Sequence, residues 1–389
     1  MSSSAGARLT GREPRLSIHH SQSGERRLSL RGLRTMLHLL PPESIALDVI
    51  AAALRSDDFF ARYDAARLLG RRGDRDARLV LADALASAGA PARASAARQL
   101  HFFSWHSVES LIRQALKDAD PRVREGAVYA LCDMRDLNAY RVLTDALQNE
   151  ADNVRAAAAW GLRSRKDPAA VPPLEAALRA SDPDVRVKAL EALGATEARE
   201  ATPAVRAALG DLDLDVKYAA TLSWIELSGE GCLIELAETI KRADGAARAP
   251  IVRGFFHATN YLAIDVARSP AAAALIEALE ITMSSDAPDA RKAAAWPLAW
   301  IDHPRASLAL KQAYEREPDE DVKAHLVRVA VGLMSDAGEA ILQNALASPS
   351  DVVREAAEWM RAAARRRRLA EGHAPEGSGP IWRRQGDIR

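Results

Sequence analysis

Two cysteines, Cys132 and Cys232, are all that this chain of 389 residues contains, and neither has a second thiol or a histidine motif beside it. A disulfide framework and a Cys/His zinc site are therefore not indicated, and a reducing, cytoplasmic compartment is the expectation. Aromatic residues are scarce at 5%. No window approaches the roughly 18 continuous apolar residues of a membrane span, and residues 1–28 carry no apolar run of signal-peptide length. A glycine-rich phosphate loop, a Gly-x-Ser-x-Gly elbow and a His-Glu-x-x-His helix are all missing. The reading leans away from an enzyme: no catalytic residue, no metal ligand and no cofactor is assigned. Net charge is lacking too, with 53 basic and 53 acidic residues, but its distribution is uneven. Residues 1–34 hold 7 Arg against 2 acids and residues 354–389 hold 9 Arg against 5, which leaves the middle of the chain acidic.

Present in place of motifs is a repeated phrase. "DADPRVREGAVYALC" from Asp118 returns as "SDPDVRVKALEALG" from Ser181. With the small aliphatic residue before the basic one as reference, the position recurs at Leu30, Ala61, Ala92, Val123, Val154, Val185, Val216, Ala247, Ala290, Val322 and Val353. The first seven steps are 31 residues each, and the step from Ala247 to Ala290 is longer by twelve. Such self-similarity is the signature of a solenoid. Apolar or small residues follow each reference at four, five and eight positions, as in Val123, Ala127, Val128 and Leu131, which makes one face of a helix. A second apolar series ends 24 positions on, at Leu54, Leu85, Leu116, Leu147, Leu178, Leu209 and Ile240. Each unit is thus a helical hairpin. Asp three residues before the reference (Asp58, Asp120, Asp182, Asp213, Asp244, Asp319) supplies N-caps, twice followed by Pro at the first helical position. The fold class expected is all-α, an α-solenoid of about eleven hairpins over residues 29–364, between a disordered basic tail at 1–28 and a basic, disordered tail at 365–389.

The residue after each reference is basic: Arg31, Arg62, Arg93, Arg124, Arg155, Arg186, Lys217, Arg248, Arg291, Lys323 and Arg354. A basic stripe could follow a nucleic-acid backbone. The preferred reading is a structural ladder, Arg62, Arg93, Arg124, Arg155, Arg186 and Lys217 among its rungs, because acids recur in register. On these phrases the chain resembles the HEAT-repeat superfamily, in particular short bacterial repeats similar to those of phycobilin lyase subunits. That resemblance is specific for fold and unspecific for activity. It implies at most a chromophore-binding or modification-subunit role as an alternative. The di-iron chemistry of HEAT-repeat hydroxylases is not supported, since none of the nine histidines is followed by Glu.

Irregular places draw the search for function. Eight of the twelve inserted residues are assigned to the turn within "FFHATNYLAIDVARSP" and four to the segment after the second helix, which would put His257, Asn260, Tyr261 and Asp265 on a binding loop at 257–266, or on a loop of tolerated drift. "HFFSWHS" at the third turn offers Phe102, Phe103 and Trp105, either packed beneath a neighbour or exposed as an anchor. Trp160, Trp296 and Trp359 all fall six residues past a reference and read as scaffold residues. Pro297 should kink or shorten its helix. The second helices are expected to line a concave face, where Arg113, Gln114, Arg141, Asp145, Glu175, Arg206 and Glu238 mix charge signs. Such a trough suits a protein or peptide. The function expected is a non-enzymatic protein-protein interaction scaffold; nucleic acid enters only through the Arg365–Arg368 run, and no membrane span is expected.

Overall fold

Most first helices begin where an Asp places them; those that start at Ala90 and Pro288 have no side-chain cap. In the computed structural model, which describes residues 18–20, 26–28, 41–148, 151–330 and 336–371, Asp58 accepts from Ala61 N–H at 2.7 Å, Asp120 from Arg122 N–H at 2.9 Å, Asp244 from Ala247 N–H at 2.8 Å and Asp319 from Val322 N–H at 3.0 Å. Each bond satisfies one of the amide donors that a helix start leaves without an internal partner.

The chain forms two compact units, residues 1–161 and 162–389. The first holds β1 (Ile18–His20) and β2 (Arg26–Leu28), paired antiparallel, and then α1 (Leu47–Leu54), α2 (Phe59–Arg72), α3 (Arg75–Ser87), α4 (Ala90–Arg98), α5 (Trp105–Ala115), α6 (Pro121–Asp133) and α7 (Leu137–Asp145). It ends within α8 (Asp152–Arg165). The second continues with α9 (Val171–Ala177), α10 (Pro183–Ala195), α11 (Thr202–Ala207), α12 (Leu214–Ser228), α13 (Leu233–Arg242), α14 (Gly245–Tyr261) and α15 (Ala272–Met283). It closes with α16 (Pro288–Trp300), α17 (Pro304–Arg316), α18 (Glu320–Ala330), α19 (Asp336–Leu346) and α20 (Asp351–Glu371).

Even-numbered helices are the first helices of the hairpins and odd-numbered ones the second. In the second unit, α10, α12, α14, α16, α18 and α20 pack in sequence, while α13 meets α15, which meets α17, which meets α19. In the first unit α4 packs on α6 and α5 on α7. This two-layered stack of hairpins is an α-solenoid. Its core is the interior between layers, where all ten described reference residues, from Ala61 to Val353, are buried, together with Trp224 and Phe255. Burying one such large apolar side chain contributes roughly 1.5–3 kcal/mol.

Small residues set how closely first helices approach. A methyl group at Gly126 on α6 would stand 2.8 Å from the Ala94 carbonyl oxygen, and one at Gly254 on α14 would stand 2.9 Å from the Tyr218 carbonyl oxygen.

Several expectations need correction. The β1–β2 ribbon lies within residues 1–28, where the lack of apolar periodicity had suggested no regular structure; pairing needs only three residues per strand. Helix α20 runs without a break through the arginine run to Glu371, because a boundary at 364 is set by loss of apolar periodicity and Arg and Ala are both good helix formers. Pro297 does not shorten α16, whose 13 residues equal those of α6 and α10. It stands in the last turn, so few residues follow the one bond it removes. The helix expected from Leu30 and the tail beyond residue 371 lie outside the described residues.

Candidate partner-binding surface

The basic position after each reference is taken up locally. Arg93 grips Asp118 through Nε and Nη2, both at 2.8 Å, while its Nη1 donates to the Ala88 carbonyl. Arg186 holds Asp211 at 2.8 and 2.9 Å and donates to the carbonyls of Ala180 and Ser181. Arg291 holds Glu317 twice at 2.8 Å and donates to Ser285 and Asp286 carbonyls. Each guanidinium thereby ties the loop before its own helix to the loop before the next. Arg124 uses Asn153 instead, Arg62 reaches the Ser56 carbonyl, Arg155 pairs with Asp152 and Lys217 donates to the Leu209 carbonyl. The acid in the three bidentate rungs stands five residues before the next reference, a signal present in the sequence that its reading passed over. It also accepts the N–H two residues on, as Asp118 does from Asp120 at 2.9 Å. The Arg93 guanidinium holds the Asp118 carboxyl below the usual range, and Arg122 brings Asp120 down to about 2.

The proposed aromatic anchor divides. Phe103 and Trp105 are buried, at 8% and 4% exposure, and so cannot contact a partner directly. Phe102 stays 44% exposed and lies over Gly70, where any side chain would collide with its ring. On the second helices Arg113, Arg141 and Arg206 are exposed and Glu175 is intermediate. Arg113 pairs with Glu109 at 2.9 Å, and Arg206 pairs with Glu235 above the Trp224 ring. The mixed signs on this face are thus partly matched within the chain.

The inserted residues do not all enter a loop. Helix α14 absorbs part of them, running 17 residues against 13 in α6 and α10, so His257, Asn260 and Tyr261 sit on its last turns. "FFHATNY" continues the helix because Phe255, Ala258 and Thr259 still fall on its buried face. Only Asp265 lies beyond, in the turn, where it pairs with Arg268 at 3.4 Å. Ala263 closes the helix with a positive φ of 53°, and Ile264 N–H reaches back to the Thr259 carbonyl at 2.8 Å.

The outer face of α14 carries a cluster the sequence did not reveal. Arg253, His257, Asn260 and Tyr261 follow i, i+4, i+7, i+8 and share one face of α14. Beside them Phe256 stacks on Trp296 of α16 with ring centres 6.4 Å apart and meets Trp300 edge-on at 6.0 Å. Trp296 meets His325 of α18 at 6.4 Å. On the other side Tyr218 Oη and His257 Nδ1 are 2.7 Å apart. Desolvation of the ring, then Arg253, lower the His257 pKa. The neutral imidazole and the Tyr218 hydroxyl thus share one hydrogen bond through Nδ1. His325 is likewise held neutral by burial, and its Nε2 is shielded without a hydrogen-bond partner. Among the described residues no group of three or more His, Cys, Asp or Glu is placed to hold a metal ion, and no helix is long and apolar enough to cross a membrane. Burial pushes the Cys232 thiol up to about 12, so it stays protonated at neutral pH.

Comparison with known proteins agrees with this architecture. HEAT repeats are matched at residues 88–163, 108–183, 141–225 and 171–253, so the stretch 88–253 carries HEAT repeats. Among solved structures it is similar to yeast importin-beta, Kap95p, at 14% identity and a TM-score of 0.57, covering 85% of this chain and 52% of that one. It is also similar to Kap121p, at 14% identity and a TM-score of 0.54, covering 84% and 42%. The chain thus spans about half the length of these neighbours or less, and at such identity the likeness concerns the fold. The CpcE–CpcF complex of phycocyanin lyase from Nostoc sp. PCC7120 matches at 20% identity over 77% of this chain and 93% of that one, with a TM-score of only 0.29. No curated protein matches the sequence.

Proposed function

We propose that the protein is a non-enzymatic interaction scaffold that binds a protein or peptide through the exposed face of its second helices. The observation that carries the reading is the division of labour along the repeat. The basic residues after each reference are used as structural rungs, while Arg113, Arg141 and Arg206 stand exposed on the second helices α5, α7 and α11 with acids interspersed. A face of alternating sign favours a partner with its own mixed charges over a polyanion, for which a continuous basic track is needed.

The kinship of fold with karyopherins, one of which is seen bound to Pho4p and another to RanGDP, is consistent with protein binding as a use of such a stack. Affinity capture followed by mass spectrometry tests the proposal. The intact protein should retain a defined partner that is lost when Arg113, Arg141 and Arg206 are all changed to Glu. Turnover of a substrate abolished by mutating a few polar side chains would sink it.

A further inference from the structure

The first-helix face of α12, α14, α16 and α18 carries a different kind of surface. Phe256, Trp296 and Trp300 bring their rings together between neighbouring helices, and Trp296 remains 44% exposed and Tyr261 81% exposed. Arg253, Lys292 and Arg328 lie around these rings, Arg253 on the face of His257, Lys292 one turn before Trp296, Arg328 one turn after His325. Among the described residues none of the three forms an ion pair. Elsewhere in the same unit Arg186, Arg206, Arg291 and Arg305 all hold carboxylates. Three cations outside any ion pair, Lys292 within electrostatic reach of Asp319, stand around a shared aromatic surface and are complementary to a ligand with negative charge and flat apolar groups.

We propose that this face is a docking site for a short acidic peptide segment of a partner protein that also bears aromatic side chains. Its rings stack on Trp296 and Phe256, and its carboxylates meet Arg253, Lys292 and Arg328. A single-stranded nucleic acid fits less well. The cations surround the rings where a strand would need them in a line. The site extends the scaffold role to a second surface and does not depend on the second-helix face being used.

A phage-displayed library of random twelve-residue peptides, selected on the full-length protein, gives a direct test, with affinities of the recovered peptides measured by fluorescence anisotropy. The expected result is enrichment of sequences combining Asp or Glu with Phe, Tyr or Trp. Their binding should weaken about tenfold or more in Arg253→Glu and in Trp296→Ala and stay unchanged in Arg141→Glu on the second-helix layer. Lys292→Glu gives an independent check should either variant unfold. Failure to enrich acidic aromatic peptides, or binding indifferent to these changes, overturns the proposal. So does tighter binding of a twenty-nucleotide polythymidine than of any peptide. Loss of peptide binding in Arg141→Glu alone would place recognition on the second-helix layer, leaving the scaffold reading intact and this one refuted.

Discussion

Along α4, α6 and α8 of the first unit the position six past each reference carries Arg98, Tyr129 and Trp160, and each side chain is occupied by the next. The Arg98 guanidinium lies 4.5 Å from the centre of the Tyr129 ring, which meets Trp160 edge-on at 5.3 Å. In the second unit the same positions of α14, α16 and α18 carry Arg253, Trp296 and Arg328, and neither arginine is paired to a carboxylate or seated over a ring. Repeat phase places the residue type, and the neighbouring helix decides whether it is consumed. In α14 Phe256 and His257, nine and ten residues past the reference, engage Trp296 and Tyr218, and the cations are left at the edge.

The largest effect should appear at the Arg291 rung of the second unit, set against the Arg93 rung of the first. Arg291→Ala strands Glu317, whose side chain is 2% exposed, and should cost about 3–5 kcal/mol in urea unfolding. Arg93→Ala leaves the more accessible Asp118 and should cost about 2 kcal/mol. Equal losses would break the comparison. Next, Gly126→Ala and Gly254→Ala should each cost roughly 1–3 kcal/mol by forcing first helices apart, with Gly254→Ala also perturbing the Trp fluorescence of the aromatic face if α14 positions it.

A smaller effect concerns position ten past the reference. Asp133 is exposed in the first unit, whereas Glu226 in the second is raised in pKa chiefly by burial. A carboxyl whose folded pKa is raised contributes stability that is full below its ordinary value near 4.5 and is lost as pH rises through the folded value. Glu226→Gln should therefore stabilise the protein at pH 7 and flatten its stability profile above pH 4.5, as read by urea unfolding across pH. Smallest of all, Arg98→Ala should cost about 0.5–1 kcal/mol through its lost ring contact, and Arg253→Ala less than about 0.5 kcal/mol. A larger loss at Arg253 would mean that it is structurally engaged.

The helix starts were legible because an Asp N-cap three residues before a buried aliphatic is a purely local signal. The aromatic face was not. Tyr218, His257, Trp296 and His325 occupy four different positions of their repeats, and a reading that follows one position at a time keeps them apart. The insertion was located correctly along the chain but assigned to a turn, since breaking the 31-residue register says nothing about where the α-helical period ends. Phe102, Phe103 and Trp105 could not be sorted from composition, because what separates them is the glycine at position 70 beneath one ring and the burial of the other two.

The contacts of the Arg93 rung, from the Ala88 carbonyl to the Asp118 carboxylates, fit within about one period of the chain. A gene segment duplicated or deleted by whole periods therefore carries a donor together with all its acceptors, and an array can grow or shrink by unequal recombination without orphaning a charge. A twelve-residue insertion has no such protection. It falls in the repeat of Arg248, which holds no acid and reaches only the carbonyls of Ile240 and Lys241.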